Sequence, residues 1–222
     1  MKIFENQKHV FWQALLLAIF VFAFGILIGF WIENSRISKI SDLYVNAELE
    51  MLDIQIQSDL IAMNKISCSN SIQENIAFAD RIYAEAKLLE KYESASRISD
   101  AIRIQHKKYD LLRTLLWTNS MKTKQYCNAS YHNLVYLYDY NEPSIDSMSK
   151  QDRISRVLEE VKNDFGNSVM LIPISGDNGI SSLSLLMKQY GISEAELPVI
   201  LVDEKNKLVS VSGKEDIENL LK

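Results

Sequence analysis

Residues 198–211 read Pro198-Val199-Ile200-Leu201-Val202-Asp203-Glu204-Lys205-Asn206-Lys207-Leu208-Val209-Ser210-Val211. The apolar run from Pro198 to Val202 is a buried strand, Asp203 to Asn206 a turn, and Leu208 to Val211 a returning strand. Past this hairpin, Gly213 opens a last helix through Leu221. Before it, Leu183, Leu185, Leu186, Met187 and Tyr190 mark a helix ended by Gly191. Further back lie a strand at Val169-Met170-Leu171-Ile172 and a helix from Asp152 to Phe165, with Ile154, Val157, Leu158 and Val161 on one face. Leu134-Val135-Tyr136-Leu137-Tyr138 is the first strand. The order is β-α-β-α-β-β-α. Continuous apolar strands alternating with helices imply a sheet covered on its faces, parallel where helices connect it and antiparallel at the hairpin.

The remainder of the 222-residue chain is different in kind. All three prolines and five of the seven glycines lie beyond residue 142, and residues 30–142 hold neither. A β or α/β domain of that length needs turns, and turns use Gly and Pro, so this stretch is long helix. Residues 33–130 carry 13 basic and 13 acidic side chains, whereas 131–222 carry 9 and 15. The net charge of −5 argues against non-specific nucleic-acid binding. Two cysteines and three scattered histidines (His9, His106, His132) provide no metal-ligand spacing and no disulfide scaffold, and no cofactor is expected.

In the helical stretch, Ile37, Ile40, Tyr44, Ala47, Met51 and Ile54 form one apolar seam, and Val45, Leu49, Leu52, Ile56, Leu60 and Met63 a second. A helix with two seams packs against more than one neighbour. Ser67-Cys68-Ser69-Asn70-Ser71 interrupts it, and Ser71-Ile72-Gln73-Glu74 fits a capping box. The next helix presents Ile72, Ile76, Ala79, Tyr83 and Ala86; after a turn near Glu93-Ser94-Ala95-Ser96, a third presents Ile98, Ile102, Gln105, Tyr109, Leu112 and Leu116. Together they read as an antiparallel hairpin.

Cys68 lies 27 residues before position 95, and Cys127 lies 31 after position 96, so both fall at the open end of the hairpin at nearly one level. A bridge needs Cα atoms within about 7 Å, which this register allows; two unrelated reduced thiols are the alternative. A disulfide implies a compartment outside the cytoplasm. Asn128-Ala129-Ser130, just past Cys127, is the single glycosylation sequon.

Val10 to Ile32 is a 23-residue apolar run with Gln13 its one strongly polar member, long enough to cross a bilayer core of about 30 Å. No small-residue cleavage site follows Phe30-Trp31-Ile32-Glu33, so the segment reads as a retained anchor in contact with lipid. Lys2 and Lys8 on one side nearly balance Arg36 and Lys39 on the other. The short leader, the acidic C-terminal body and the cysteines favour a cytoplasmic N-terminus and an extracytoplasmic C-terminal domain. Gly25 and Gly29 match the GxxxG packing motif, a route to a homodimer.

The order β-α-β-α-β-β-α, with Gly191-Ile192 after a helix and Leu197-Pro198 opening the third strand, resembles the thioredoxin-like fold over Tyr131–Lys222. An anchor, a cysteine-flanked helical hairpin and then such a domain is also similar to membrane-anchored thioredoxin-domain proteins of archaea. The resemblance implies a cis proline at Pro198 facing the site. It also implies a Cys-x-x-Cys between the first strand and first helix, where a helix N-terminus lowers a thiolate pKa. That stretch here is Asp139-Tyr140-Asn141-Glu142-Pro143-Ser144-Ile145-Asp146-Ser147-Met148, without cysteine. The loop Glu142, Pro143, Ser144, Ile145, Asp146 and Ser147 is a degenerate active-site loop, and disulfide exchange by this domain alone is excluded, because the chemistry needs a thiolate.

The expected architecture is α+β. It comprises a leader (1–9), a transmembrane helix (10–32), a helical hairpin stalk (33–130) and an α/β thioredoxin-like domain (131–222). The expected function is redox-inactive binding of a peptide or protein partner in a groove around Ser144 and Pro198. Exchange through Cys68 and Cys127, or a purely structural dimeric coiled stalk, are the alternatives. Two further arrangements compete with ordinary structural roles. Asp139, Asp177 and Asp203 each follow a strand and could form an acidic Mg²⁺ pocket, although strand-ending aspartates commonly serve turns. Tyr131, Tyr136, Tyr138 and Tyr140 could line the groove, although tyrosines alternating on a strand commonly pack in cores. His106 and His132 read as surface or hairpin-packing residues.

Overall fold

The computed structural model describes residues 7–63, 67–95, 100–141 and 143–221. Two units are distinguished along the chain, Met1–Asp42 and Leu43–Lys222.

Helix α1 runs from Gln7 to Ala62. Within its first unit, Val10–Ser35 is one helix long and apolar enough to cross a membrane, with mean hydropathy 2.8 and none of its window buried. Gly25 and Gly29 lie on this stretch, and a Cβ built on either meets nothing within 4 Å.

In the second unit the rest of α1 is followed by α2 (Cys68–Ala95) and α3 (Asp100–Cys127). Cys68 and Cys127 are disulfide-bonded, with Cα atoms 5.5 Å apart, as the antiparallel register allows. Of the first α1 seam, Met51 is the one side chain described, and it is fully buried. Of the second seam, Val45, Leu49, Leu52, Ile56 and Met63 are exposed and Leu60 is half-buried. Ser71 is not an N-cap: α2 begins three residues earlier, and Ser71 is buried inside its first turns. The buried face of α2 is Ser71, Asn75, Phe78, Ala79 and Ile82; of the expected stripe Ala79 is buried, whereas Ile72, Ile76, Tyr83 and Ala86 are half-buried, a rotation of about one residue. Polar Ser71 and Asn75 take core positions beside the bridge, with Asn75 donating to Thr123 Oγ1 at 3.3 Å, so counting apolar residues misplaces the face. Glu93, Ser94 and Ala95 of the expected turn continue α2, and Ser96 and the side chains of Ile98 and Ile102 lie outside the described residues.

The α/β segment follows in the expected order: β1 (His132–Tyr138), α4 (Ile145–Phe165), β2 (Val169–Ser175), α5 (Ser181–Gln189), β3 (Val199–Val202), β4 (Asn206–Leu208) and α6 (Glu215–Glu218). The sheet order is β2-β1-β3-β4. β1 and β2 are parallel, and β3 is antiparallel to both β1 and β4. α4 begins seven residues before Asp152 because Ser144 caps it, its side chain accepting from Ser147 N. β4 begins at Asn206, which pairs with Val202, so the turn is Asp203, Glu204 and Lys205, and Val209–Val211 of the expected return strand lie beyond β4. Asp203 and Glu204 have positive φ, 50° and 57°, at the centre of a turn closed by Lys205 N donating to Val202 O, positions usually filled by Asn or Gly.

Alternation along the strands divides the core. Leu134, Tyr136, Leu171, Ile200 and Val202 pack with Ile154, Leu158 and Val161 of α4 and with Ile217 and Leu221. Val135, Leu137, Met170, Ile172 and Leu201 point the other way, toward α3 and α5, by the two-residue period of a strand. α2 runs along the outer edge of β2 and reaches α4 through Lys162–Asp80 (2.6 Å) and Lys87–Glu159. An otherwise open sheet edge is thereby covered. The helical hairpin and the sheet lie within one compact unit, Leu43–Lys222.

Candidate functional site

Parallel β1 and β2 bring their C-terminal ends together, and antiparallel β3 brings its N-terminal end beside them, since Val199 pairs with Leu137. The loops gathered there are 139–141 with 143–144, 176–180, and Leu197–Pro198, whose peptide bond is cis. In open α/β sheets ligands bind at the carboxyl ends of parallel strands, where loops rather than ladders occupy the backbone.

Asp177 organises the junction. Its carboxylate accepts from Tyr140 N (3.0 Å), Asn141 N (2.7 Å) and Ser175 Oγ (2.8 Å), and Asn141 Nδ2 donates to its carbonyl. Burial alone would raise its pKa, but these donors outweigh it and hold the carboxyl below the usual range. Asp139 faces it. Burial, then its hydrogen bond to Asp177 and that residue's charge, push Asp139 up. The two carboxyls titrate as an interacting pair, with Asp139 the member that keeps its proton to higher pH. Ser147 Oγ donates weakly to Asp139 (3.4 Å), and Gln151 Nε2 donates to the Asp139 carbonyl (3.0 Å).

The degenerate loop leads into α4 from this junction. Ser144 is the N-cap, Ile145 is 81% exposed, Met148 is exposed, and Asp146 pairs with Lys150 at 2.7 Å. Glu142 lies outside the described residues. Pro198 is buried at the start of β3. Gly176 is buried so close to Leu197 that a Cβ would meet its side chain at 2.8 Å.

Asp203 is not part of this site. It follows an antiparallel strand and lies at the opposite end of the sheet, where it pairs with Lys124 and His132 Nδ1 (2.6 Å) and accepts from Asn133 N (2.9 Å). The three-aspartate pocket does not assemble, and no group of three or more metal-ligating side chains occurs among the described residues. The tyrosines divide likewise. Tyr131 is buried at the far end against Ser120, its phenol pushed up to about 12 by burial, and Tyr136 is in the core. Tyr138 and Tyr140 reach the site end, yet both are engaged with His106: Tyr138 Oη lies 2.9 Å from its Nε2, and Tyr140 stacks on its ring at 3.7 Å.

His106 belongs to a buried polar cluster that the apolar pattern of α3 does not reveal. Asp110, fully buried, accepts from Arg113 (2.9 Å), Ser175 N (3.3 Å) and Asn178 Nδ2 (2.6 Å), with His106 Nε2 at 3.3 Å. The signal was His106, Asp110 and Arg113 recurring at helical spacing on one strip of α3. Through Ser175 and Asn178 this strip supports the loop that carries Asp177.

Asn128 is exposed with φ 48°, immediately past the bridge. Cys68 and Cys127 are half-buried, and the cations nearest Cys127 in sequence are committed elsewhere, Lys124 to Asp203 and Lys122 to Asp59. Searches against protein-family models, curated proteins and solved structures find no match to this chain.

Proposed function

We propose that the chain is a single-pass membrane protein, anchored by residues 10–32 with its N-terminus in the cytoplasm. Its extracytoplasmic thioredoxin-like domain binds an extended peptide or protein segment without thiol chemistry. The observation that carries this reading is the junction after β1. A capped helix start, the loops after β1 and β2 and the Pro198 edge converge there, and Ser144 and Ile145 stand in the loop where the thioredoxin-like pattern has thiols. The sheet order β2-β1-β3-β4, with its parallel first pair and antiparallel hairpin, supports the family resemblance. The disulfide and the acidic C-terminal segment support an external location.

Exchange through Cys68 and Cys127 is the weaker reading. A reactive thiolate needs a nearby cation or helix N-terminus; Cys68 opens α2 and has the latter, but Cys127 closes α3, and the Lys122 and Lys124 near it already serve carboxylates. The test has two arms on the full chain in detergent. Turnover in a protein-disulfide reduction assay contradicts the proposal. Arrays of extended apolar peptides are expected to retain the native chain and to lose roughly tenfold in affinity with Ile145→Asp, a loss of about 1.4 kcal/mol. Unchanged retention by that variant also contradicts it.

A further inference from the structure

Among the described residues of the second α1 seam Leu60 is half-buried, while Val45, Leu49, Leu52, Ile56 and Met63 are 48–62% exposed. At 100° per residue these five fall in a stripe about 60° wide, whereas buried Met51 lies about 130° away round the axis. The stripe extends over five turns on the side of the helix away from Met51. An apolar strip of this length on a polar body marks an interaction surface.

The charges beside it select the occupant. Residues 43–64 contain Glu48, Glu50, Asp53 and Asp59 and no lysine or arginine. Glu48 and Asp59 border one side of the stripe and Asp53 the other, all three exposed. Gln57 donates to Asp53 (2.8 Å), and Asp59 faces Lys122 at 3.7 Å, so the flanks keep an acidic excess. A second copy would bring acidic flank against acidic flank, which flanking charges in helix pairs act to forbid. An anionic lipid surface would be repelled for the same reason. The complementary shape and charge belong to a helix with an apolar seam and basic flanks.

We propose that the outward face of α1 from Val45 to Met63 docks an amphipathic helix of a partner protein, apolar along its seam and basic on both flanks. This surface is separate from the sheet-end site, so either assignment can fail without the other.

The test uses the full chain in zwitterionic nanodiscs, with empty nanodiscs subtracted. The probe is a fluorescent peptide of about four heptads with leucine at the seam and lysine on the flanks; its twin carries glutamate on the flanks. The lysine peptide is expected to bind at least ~10-fold tighter than its twin and to weaken at about 0.5 M salt. Replacing Leu49 and Ile56 together (Leu49→Asn, Ile56→Asn) is expected to lower that affinity at least ~10-fold with an unchanged thermal melt, because both side chains are exposed. A charge-swapped chain (Glu48→Lys, Asp53→Lys) is expected to prefer the glutamate twin. Equal binding of the two peptides, or binding indifferent to Leu49→Asn and Ile56→Asn, overturns the proposal. So does a dimer in sedimentation that those two substitutions dissolve, since the stripe would then be closed by a second copy.

Discussion

Trp117 donates its indole N–H to Glu204 Oε1 at 2.7 Å, joining the middle of α3 to the β3–β4 turn across 87 residues of sequence. The same oxygen accepts from Asn133 Nδ2 at 2.9 Å, and the neighbouring Asp203 holds Lys124 and His132. Two residues in the left-handed region are thus retained at a turn position that glycine fills more comfortably, because their side chains fasten helix to sheet.

Glu204→Ala is expected to cost about 1–3 kcal/mol, since it leaves the Trp117 and Asn133 donors without this acceptor. Glu204→Gly is expected to cost about 1 kcal/mol less than alanine, because glycine relieves the positive φ of 57°. Urea unfolding of the three chains checks the order. A glycine variant less stable than the alanine variant would show that the turn conformation carries no cost.

Replacing Cys68 and Cys127 by serine is expected to lower stability by about 4 kcal/mol, for a loop of 59 residues in sequence separation. Reductant should shift the unfolding midpoint of the native chain by a similar amount and leave the serine variant unmoved. Equal midpoints for the native chain with and without reductant would mean that the bridge contributes nothing.

The places where sequence and structure part share one cause. Apolar periodicity identifies Ile154, Val157, Leu158 and Val161 correctly as the buried face of α4, because its core is wholly apolar. It misplaces the face of α2, because Ser71 and Asn75 are buried beside the bridge, and it passes over Asp110 and Arg113, which are buried in α3. Asn75 and Asp110 take long-range partners, and no local pattern encodes Asn75 meeting Thr123 or Asp110 meeting Ser175 and Asn178. The two cysteines were legible because distance from a turn is a local count. Asp203 was grouped with Asp139 and Asp177 because a strand-ending aspartate does not disclose whether its strand runs parallel or antiparallel.

Asp110→Ala is expected to destabilise the chain by about 3–5 kcal/mol, because it strands Arg113 in the interior and frees Ser175 N and Asn178 Nδ2. Asp110→Ala with Arg113→Met should recover a large part of that loss, since the buried charge goes with its partner. No recovery in a thermal unfolding series would place the cost in the loop contacts alone.

The Asp139–Asp177 pair predicts opposite pH dependences for its two members. Asp177 has a lowered folded pKa, so its stabilisation is present above the ordinary carboxylate range and is lost as pH falls through the lowered value. Asp139 has a raised folded pKa, so its contribution is present below the ordinary range and is lost as pH rises through the raised value. Asp139→Asn is therefore expected to flatten the fall in Tm as pH rises from the ordinary carboxylate range through the raised value, and to raise Tm at neutral pH by ~1–3 °C. Asp177→Ala should lower Tm at neutral pH, because Tyr140 N, Asn141 N and Ser175 Oγ lose their acceptor. Parallel Tm–pH curves for native and Asp139→Asn chains would contradict the interaction of the two carboxyls.

The central proposal, an anchored protein with its folded body outside the cytoplasm, is tested most directly by labelling Cys68 and Cys127 in intact cells with a membrane-impermeant maleimide. The account predicts no labelling of untreated cells and labelling of both residues after an impermeant reductant is added outside. Labelling that requires lysis and no reductant would place reduced thiols in the cytoplasm and contradict both the topology and the bridge.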